Sequence, residues 1–329
     1  MNRLNLTLAI GEYDHTRDLT SGAVPVDGID LTHLSLPIEE IHFRFTNFRE
    51  WDVSEMSLGK YVSLLSQDDR SMVAIPVFPN RTFRHSAFYV RRESELTDPA
   101  QLAGKRVGVP EWAQTAGIYA RGALMHQYGL RLSAIEWWQA GVNQPGRTEK
   151  VELRLPQGVR LHRAPEKTLS GMLASGELDA AITAHPPESF ERGDPSIVRL
   201  FRDAPDVEAA YWRTTGIFPI MHIVAIRRDV YERNRWVAMN LYKAFDEARR
   251  RSLLRIFDLT SSRVPVPWVP DHAERWRPLF GNDYWPYGLA PNRTTLEAFC
   301  EYAFEQGVAH RKVAPDELFP PELSSTFRV

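Results

Sequence analysis

Ten histidines and a single cysteine make imidazole the natural carrier of acid–base chemistry in this chain, and one thiol excludes a thiolate metal cluster. His85, in Phe83-Arg84-His85-Ser86, and His222, in Phe218-Pro219-Ile220-Met221-His222, each lie beside a segment that reads as a strand linking two halves of the chain. Imidazole titrates near neutral pH, so either ring can serve as a general acid. The plainer reading of each is a hydrogen-bonded core histidine. Glu55 and Asp14 fall in loops at strand ends, where a carboxylate can accept a proton or orient a histidine. Glu55 also falls near a helix start, where a carboxylate is stabilised by about 0.3–1 kcal/mol with no chemical role. Ser57 and Thr115 begin helices and can turn hydroxyl and backbone N–H groups toward an anion, or simply cap. The histidines are scattered with no His-Glu-x-x-His, Gly104-Lys105 lacks the upstream glycine of a phosphate loop, and no Gly-x-Ser-x-Gly occurs. No metal set is expected.

These residues need a scaffold. Leu4, Leu6, Leu8 and Ile10 alternate with polar neighbours, the period of a half-buried strand, and deliver the loop 12–17. A second strand is expected at 29–34. Trp51-Asp52-Val53 leads into a loop at 54–57, and Leu58, Tyr61, Val62 and Leu65 mark a helix face. Apolar runs at 72–77 and 87–90 read as strands. The pattern restarts at Leu102-Ala103-Gly104-Lys105-Arg106-Val107-Gly108-Val109-Pro110, a loop feeding a buried strand, followed by a helix from about Thr115 that Gly129 closes. A helix over 169–175 closes at Gly176, a strand over 178–182 opens into Thr183-Ala184-His185-Pro186, and 217–226 reads as a second linking strand. In open α/β sheets ligands collect beyond the carboxyl ends of strands. The loops at 12–17, 54–57, 110–116 and 183–187 should therefore meet at one cleft.

At 329 residues the chain exceeds the size at which one core keeps growing, so two lobes are expected. A net charge of −2 supplies no long-range field for nucleic acid, and any anion site must be local. No stretch approaches the ~18 apolar residues of a membrane-crossing helix, and the first ten residues lack the apolar block of an export signal. A cytoplasmic protein is expected. Cys300 shares an apolar stripe with Leu296, Phe299 and Ala303 and reads as a buried structural thiol.

Several stretches resemble the 4,5-dihydroxyphthalate decarboxylase family, on the type II periplasmic-binding-protein fold. They are Tyr13-Asp14-His15-Thr16-Arg17, Phe83-Arg84-His85-Ser86, the segment 102–110, Pro145-Gly146-Arg147, the segment 169–180, Phe218-Pro219-Ile220-Met221-His222, and Trp285-Pro286-Tyr287-Gly288 with Pro291-Asn292-Arg293. The resemblance implies a two-lobed α/β architecture with an interlobe cleft, residues 1–88 and 224–329 forming one lobe and 89–223 the other. It also implies decarboxylation of a hydroxylated aromatic dicarboxylic acid without metal or cofactor. Where a basic contact is expected after the strand 178–182 this chain has His185, and His15 stands where an arginine often follows Tyr-Asp.

Loss of CO2 straight from an aromatic ring leaves an unstabilised aryl anion. Protonating the ring carbon first, with electrons pushed from a para hydroxyl, avoids it. On this reading His222 or His85 is the ring-protonating acid, and Glu55 or Asp14 takes the phenolic proton or orients a histidine. Arg84, Arg147, Arg81 and Arg17 are candidate forks for the retained carboxylate. Trp285, Tyr287 and Tyr13 are candidates for an aromatic wall, and 281–288 for a lid. A non-catalytic solute-binding protein and another enzyme of the same scaffold, such as a chorismate-processing dehydratase, are the competing readings. The expected partner is a small aromatic dicarboxylate, with neither nucleic acid nor membrane; a homo-oligomer is compatible with it.

Overall fold

In the computed structural model, which describes residues 3–261 and 263–323, the alternation at the amino end becomes a strand as expected. Leu6 and Leu8 are buried while Asn5 is exposed. The strands are β1 (Leu4–Ala9), β2 (Ile29–Leu34), β3 (Val53–Ser57), β4 (Met72–Ile75), β5 (Phe88–Arg91), β6 (Arg106–Val109), β7 (Glu136–Gly141), β8 (Arg160–Thr168), β9 (Ala180–Ile182), β10 (Ile197–Arg199) and β11 (His222–Arg227). They form two sheets, ordered β2-β1-β3-β11-β4 and β10-β5-β9-β6-β7-β8.

The chain leaves the first sheet after β4, builds the second, and returns as β11 between β3 and β4, antiparallel to both. This return decides the site, because it sets a strand from late in the sequence beside one from its start.

Three expectations about loops are corrected. Residues 54–57 belong to β3, not to a loop, because β1 and β11 pair with it on both sides and all five strand residues are buried. The loop 12–17 is cut short by a helix over Asp14–Thr20. The segment 281–288 is no free lid: Gly288 N–H donates to Pro76 O at 2.8 Å, and the Trp285 indole donates to Phe78 O at 2.8 Å. Gly129 and Gly176 hold the positive φ expected of them, 62° and 79°. Cys300 is buried.

Candidate active site

The register of β3 and β11 opposes Ser57 to His222 and Glu55 to Val224. Side chains alternate along strands, so Glu55, Ser57 and His222 share one sheet face, with Glu55 and His222 as diagonal neighbours. Glu55 Oε1 lies 2.5 Å from His222 Nδ1. Tyr13 donates its hydroxyl to the same oxygen at 2.7 Å, and Gly11 N–H donates to Oε2 at 2.9 Å. Glu55 is wholly buried, and these donors offset its desolvation. Since Nδ1–H points at Glu55, the tautomer is fixed and Nε2 is left for a ligand. Tyr13, expected in an aromatic wall, instead supports the carboxylate. Burial, then the Glu55 charge, pushes its phenol pKa upward.

His222 opens on a cavity of about 280 Å³ that also takes in Ser57, Lys60, Arg84, Glu111, Thr115, Arg147 and His185. Around the buried Glu111 carboxylate stand Arg147 Nε at 2.5 Å, Lys60 Nζ at 3.1 Å and Lys150 Nζ at 3.4 Å. Burial opposes ionisation of Glu111, but Lys60, Arg147 and Lys150 together outweigh it and hold its pKa below the usual carboxylate range. Arg84 differs. Among the described residues no carboxylate lies within ion-pair distance of it; its Nε points at Met221 Sδ, 3.1 Å away. Burial brings its pKa down to about 10, which still leaves it charged at neutral pH. An unpaired guanidinium beside a carboxylate already shared by three cations makes this cavity receptive to a small anion.

Two helix starts complete the wall. The helices Leu58–Ser66 and Thr115–His126 begin here, and Ser57 Oγ meets Thr115 Oγ1 at 3.0 Å, while Thr115 Oγ1 accepts from Gly59 N–H at 2.9 Å. The hydroxyls thus tie two helix starts together. The approach needs glycine at 59, because a Cβ there would lie 2.7 Å from Ala113 O and 2.9 Å from Ile118 Cδ1. Gly59→Ala should push the helices apart, lowering unfolding free energy by about 1–3 kcal/mol and raising the KM for an anionic substrate. Chemical denaturation with steady-state kinetics checks both.

His185 follows β9 and meets Glu39, on the helix Ile38–Phe48 of the other sheet, at 2.8 Å. A cavity of about 410 Å³ continues outward from this pair along 141–147. The hydrogen bond to Glu39 raises the His185 pKa above 6.5, and the same bond lowers that of Glu39 from 4.5 to about 2. The histidine contribution is full below pH 6.5 and fades as pH rises through its folded pKa; the glutamate contribution is full above 4.5 and fades toward about 2. Both side chains are about half exposed, so the pair is worth at most about 1 kcal/mol. The stability gap between wild type and His185→Ala should therefore be small at pH 6 and close by pH 9 in denaturant titrations.

Other candidates lie elsewhere. His85 is buried in a 3-10 turn, edge-on to Phe201 and Tyr211 at 5.2 and 5.1 Å. Burial brings its pKa down to about 4, which fits a neutral core ring. Asp14 accepts from Ser252 at 2.6 Å and pairs with Arg255, both on the helix Trp236–Ile256, and with Arg17. Arg17 is exposed, between Asp14 and Asp18. Arg81 is buried, donates to Phe218 O and Pro286 O, and lies 4.4 Å over the Phe218 ring, so it braces backbone instead of lining the cavity. Tyr287 is core, edge-on to Phe78. Trp285 borders a separate, mostly apolar cavity of about 390 Å³ with Asp14, His15, Phe218, Trp276 and Phe280.

Three cavity residues were missed: His42, Lys60 and Glu111. His42, Glu55 and His222 bring ligand atoms within 4.8 Å of one another, a grouping that scattered spacing hides. Glu55 already has three donors and the surroundings are cationic, an arrangement better suited to proton transfer and anion binding than to a divalent cation.

Comparison with known proteins bears out the resemblance. The chain is 37% identical over 330 residues to a 4,5-dihydroxyphthalate decarboxylase of Comamonas testosteroni, covering all of both. It is 42% identical over 213 residues to one from Pseudomonas putida, covering 64% of this chain and 82% of that one. No protein-family model matches. Among solved structures, the periplasmic aliphatic sulphonate binding protein of Escherichia coli superposes with a TM-score of 0.55 at 14% identity, covering 98% and 99% of the two chains. A desulfurization enzyme gives 0.51 at 17%, covering 98% of each. These neighbours bear out the two-lobed periplasmic-binding-protein-like architecture, and sequence identity along the whole length places the chain in the 4,5-dihydroxyphthalate decarboxylase family of carboxy-lyases.

Proposed function

We propose that this chain removes one carboxylate of 4,5-dihydroxyphthalate as CO2, leaving 3,4-dihydroxybenzoate, and that His222 protonates the ring carbon before the carbon–carbon bond breaks. The observation that carries this is the 2.5 Å contact between Glu55 and His222 on the wall of a cavity lined by Lys60, Arg84 and Arg147. Glu55 holds the imidazole in one tautomer and steadies the imidazolium. Arg84, with no carboxylate partner of its own, takes the retained carboxylate as a fork. Lys60, Arg147 and the two helix starts keep the second carboxylate ionised and against His222.

The scheme uses no metal and no organic cofactor, and we place it in the cytoplasm; no helix among the described residues is long and apolar enough to cross a membrane. Chelator-treated protein should release stoichiometric CO2 and 3,4-dihydroxybenzoate from 4,5-dihydroxyphthalate. Activity that appears only on adding a metal ion overturns the cofactor-free scheme, and substrate recovered intact after binding identifies a solute-binding protein instead.

A further inference from the structure

His42 lines the same cavity and has no role in the scheme so far. It lies on the helix Ile38–Phe48, only 9% exposed, with its ring edge-on to His222 at 4.5 Å and 88°. Its Nε2 is buried without a hydrogen-bond partner among the described residues. An unsatisfied buried polar atom costs about 1–3 kcal/mol, a cost that a ligand donor removes once a turn of the ring brings Nε2 to the cavity that His42 lines. Burial is the main influence on this ring. The charges of His222 on β11, Lys60 on the helix Leu58–Ser66, and Lys150 and Arg147 on the segment after β7 add to it, and all push its pKa well below the usual histidine range. Glu39 lies on its own helix and Glu55 behind His222. His42 is therefore neutral at pH 7 and available as an acceptor, while His222 is held by a carboxylate. Two neighbouring titratable groups in opposed environments are the arrangement that divides acid from base.

We propose that His42 is a second catalytic residue, which accepts the proton of the ring hydroxyl para to the departing carboxylate. The inference rests on the decarboxylase reading above. As His222 gives its proton to the carboxylate-bearing carbon, the O–H bond breaks toward His42 Nε2, and its electron pair forms a carbonyl and moves the ring electrons onto that carbon. The carbon–carboxylate bond then breaks, CO2 leaves, and its electron pair restores the aromatic ring as a phenolate. The phenolate recovers its proton from His42, and solvent returns one to His222. A weak base suffices, because the hydroxyl turns strongly acidic once the carbon is protonated.

The test compares wild type with His42→Gln and His42→Phe from pH 6 to 10. Cooperative thermal unfolding and an unchanged circular-dichroism spectrum identify a folded variant. At neutral pH kcat should fall about 10²–10³-fold. The ratio of variant to wild-type kcat should then rise about tenfold per pH unit, as the substrate hydroxyl ionises unaided. Using the ratio removes pH effects common to both enzymes. A ratio near one, or one that is low but flat with pH, overturns the inference. A wild type that releases no CO2 removes the decarboxylase reading itself, and that arm is read before any variant.

Discussion

His222→Asn should bind 3,4-dihydroxybenzoate within a few-fold of wild type and lose about 10²–10⁴ in kcat at saturating 4,5-dihydroxyphthalate. Asparagine keeps a donor toward Glu55, so the 2.5 Å contact has a replacement and the sheet pairing of β3 with β11 is undisturbed. What disappears is a group that can carry a proton to carbon. His85→Asn is the control: its ring sits among Phe201 and Tyr211, away from the cavity, so its effect should appear in stability and leave kcat within a few-fold. Equal kcat losses in both variants would mean that the dyad is structural. Rapid-quench product analysis with calorimetric affinities separates chemistry from binding.

Arg84→Met should raise KM about 10²–10³-fold, the loss expected when a desolvated ion pair of about 3–5 kcal/mol is broken, and yet make the free protein no less stable. Two facts compel this pairing of opposite results. Arg84 has no carboxylate partner among the ion pairs of the described residues, and burial has lowered its pKa to about 10 against the opposing charge of Glu208, so the folded protein bears a desolvation cost that is only partly offset. Methionine removes that cost and fits beside Met221. The bound substrate carboxylate, in contrast, loses its fork. Arg81→Met gives the reverse pattern, because that guanidinium bonds to Phe218 O and Pro286 O and stacks on Phe218; its removal should lower unfolding free energy and leave KM near the wild-type value. Thermal unfolding with Michaelis kinetics on both variants distinguishes a substrate fork from a backbone brace.

The parts of this fold that sequence discloses are those with a local physical cause. Leu4, Leu6 and Leu8 announce β1 by alternation, and Gly129 and Gly176 close helices because only a residue free of a Cβ adopts those φ values cheaply. Strand β8 escaped because it is a polar stretch at the sheet edge, with Arg160, His162, Arg163, Glu166 and Lys167 among its nine residues. Ser54-Glu55-Met56-Ser57 looks like a helix entry. It is a central strand because Glu55 finds Gly11, Tyr13 and His222, partners that lie 42 to 167 residues away.

The same distance hides most of the site. His222 and Arg84 stood out within motifs of the family resemblance, whereas Lys60 is buried inside a helix face of Leu58, Tyr61, Val62 and Leu65, where a lysine reads as a flanking charge. His42 left a signal that went unused. It follows Ile38 by four residues and Ile41 by one, on the stripe that ends at Phe45, so it had to face inward. The aromatic candidates misled for the opposite reason, since Trp285 and Tyr287 are flat and near the right strands but serve packing.

The most direct measurement is a structure of the protein with 3,4-dihydroxybenzoate bound. The ligand carboxylate should lie within hydrogen-bond distance of Arg84, with the ring carbon that lost its carboxylate facing His222 Nε2. A ligand found instead in the apolar cavity beside Trp276 and Trp285, or one whose ring is out of reach of His222, would contradict proton delivery by the Glu55–His222 pair.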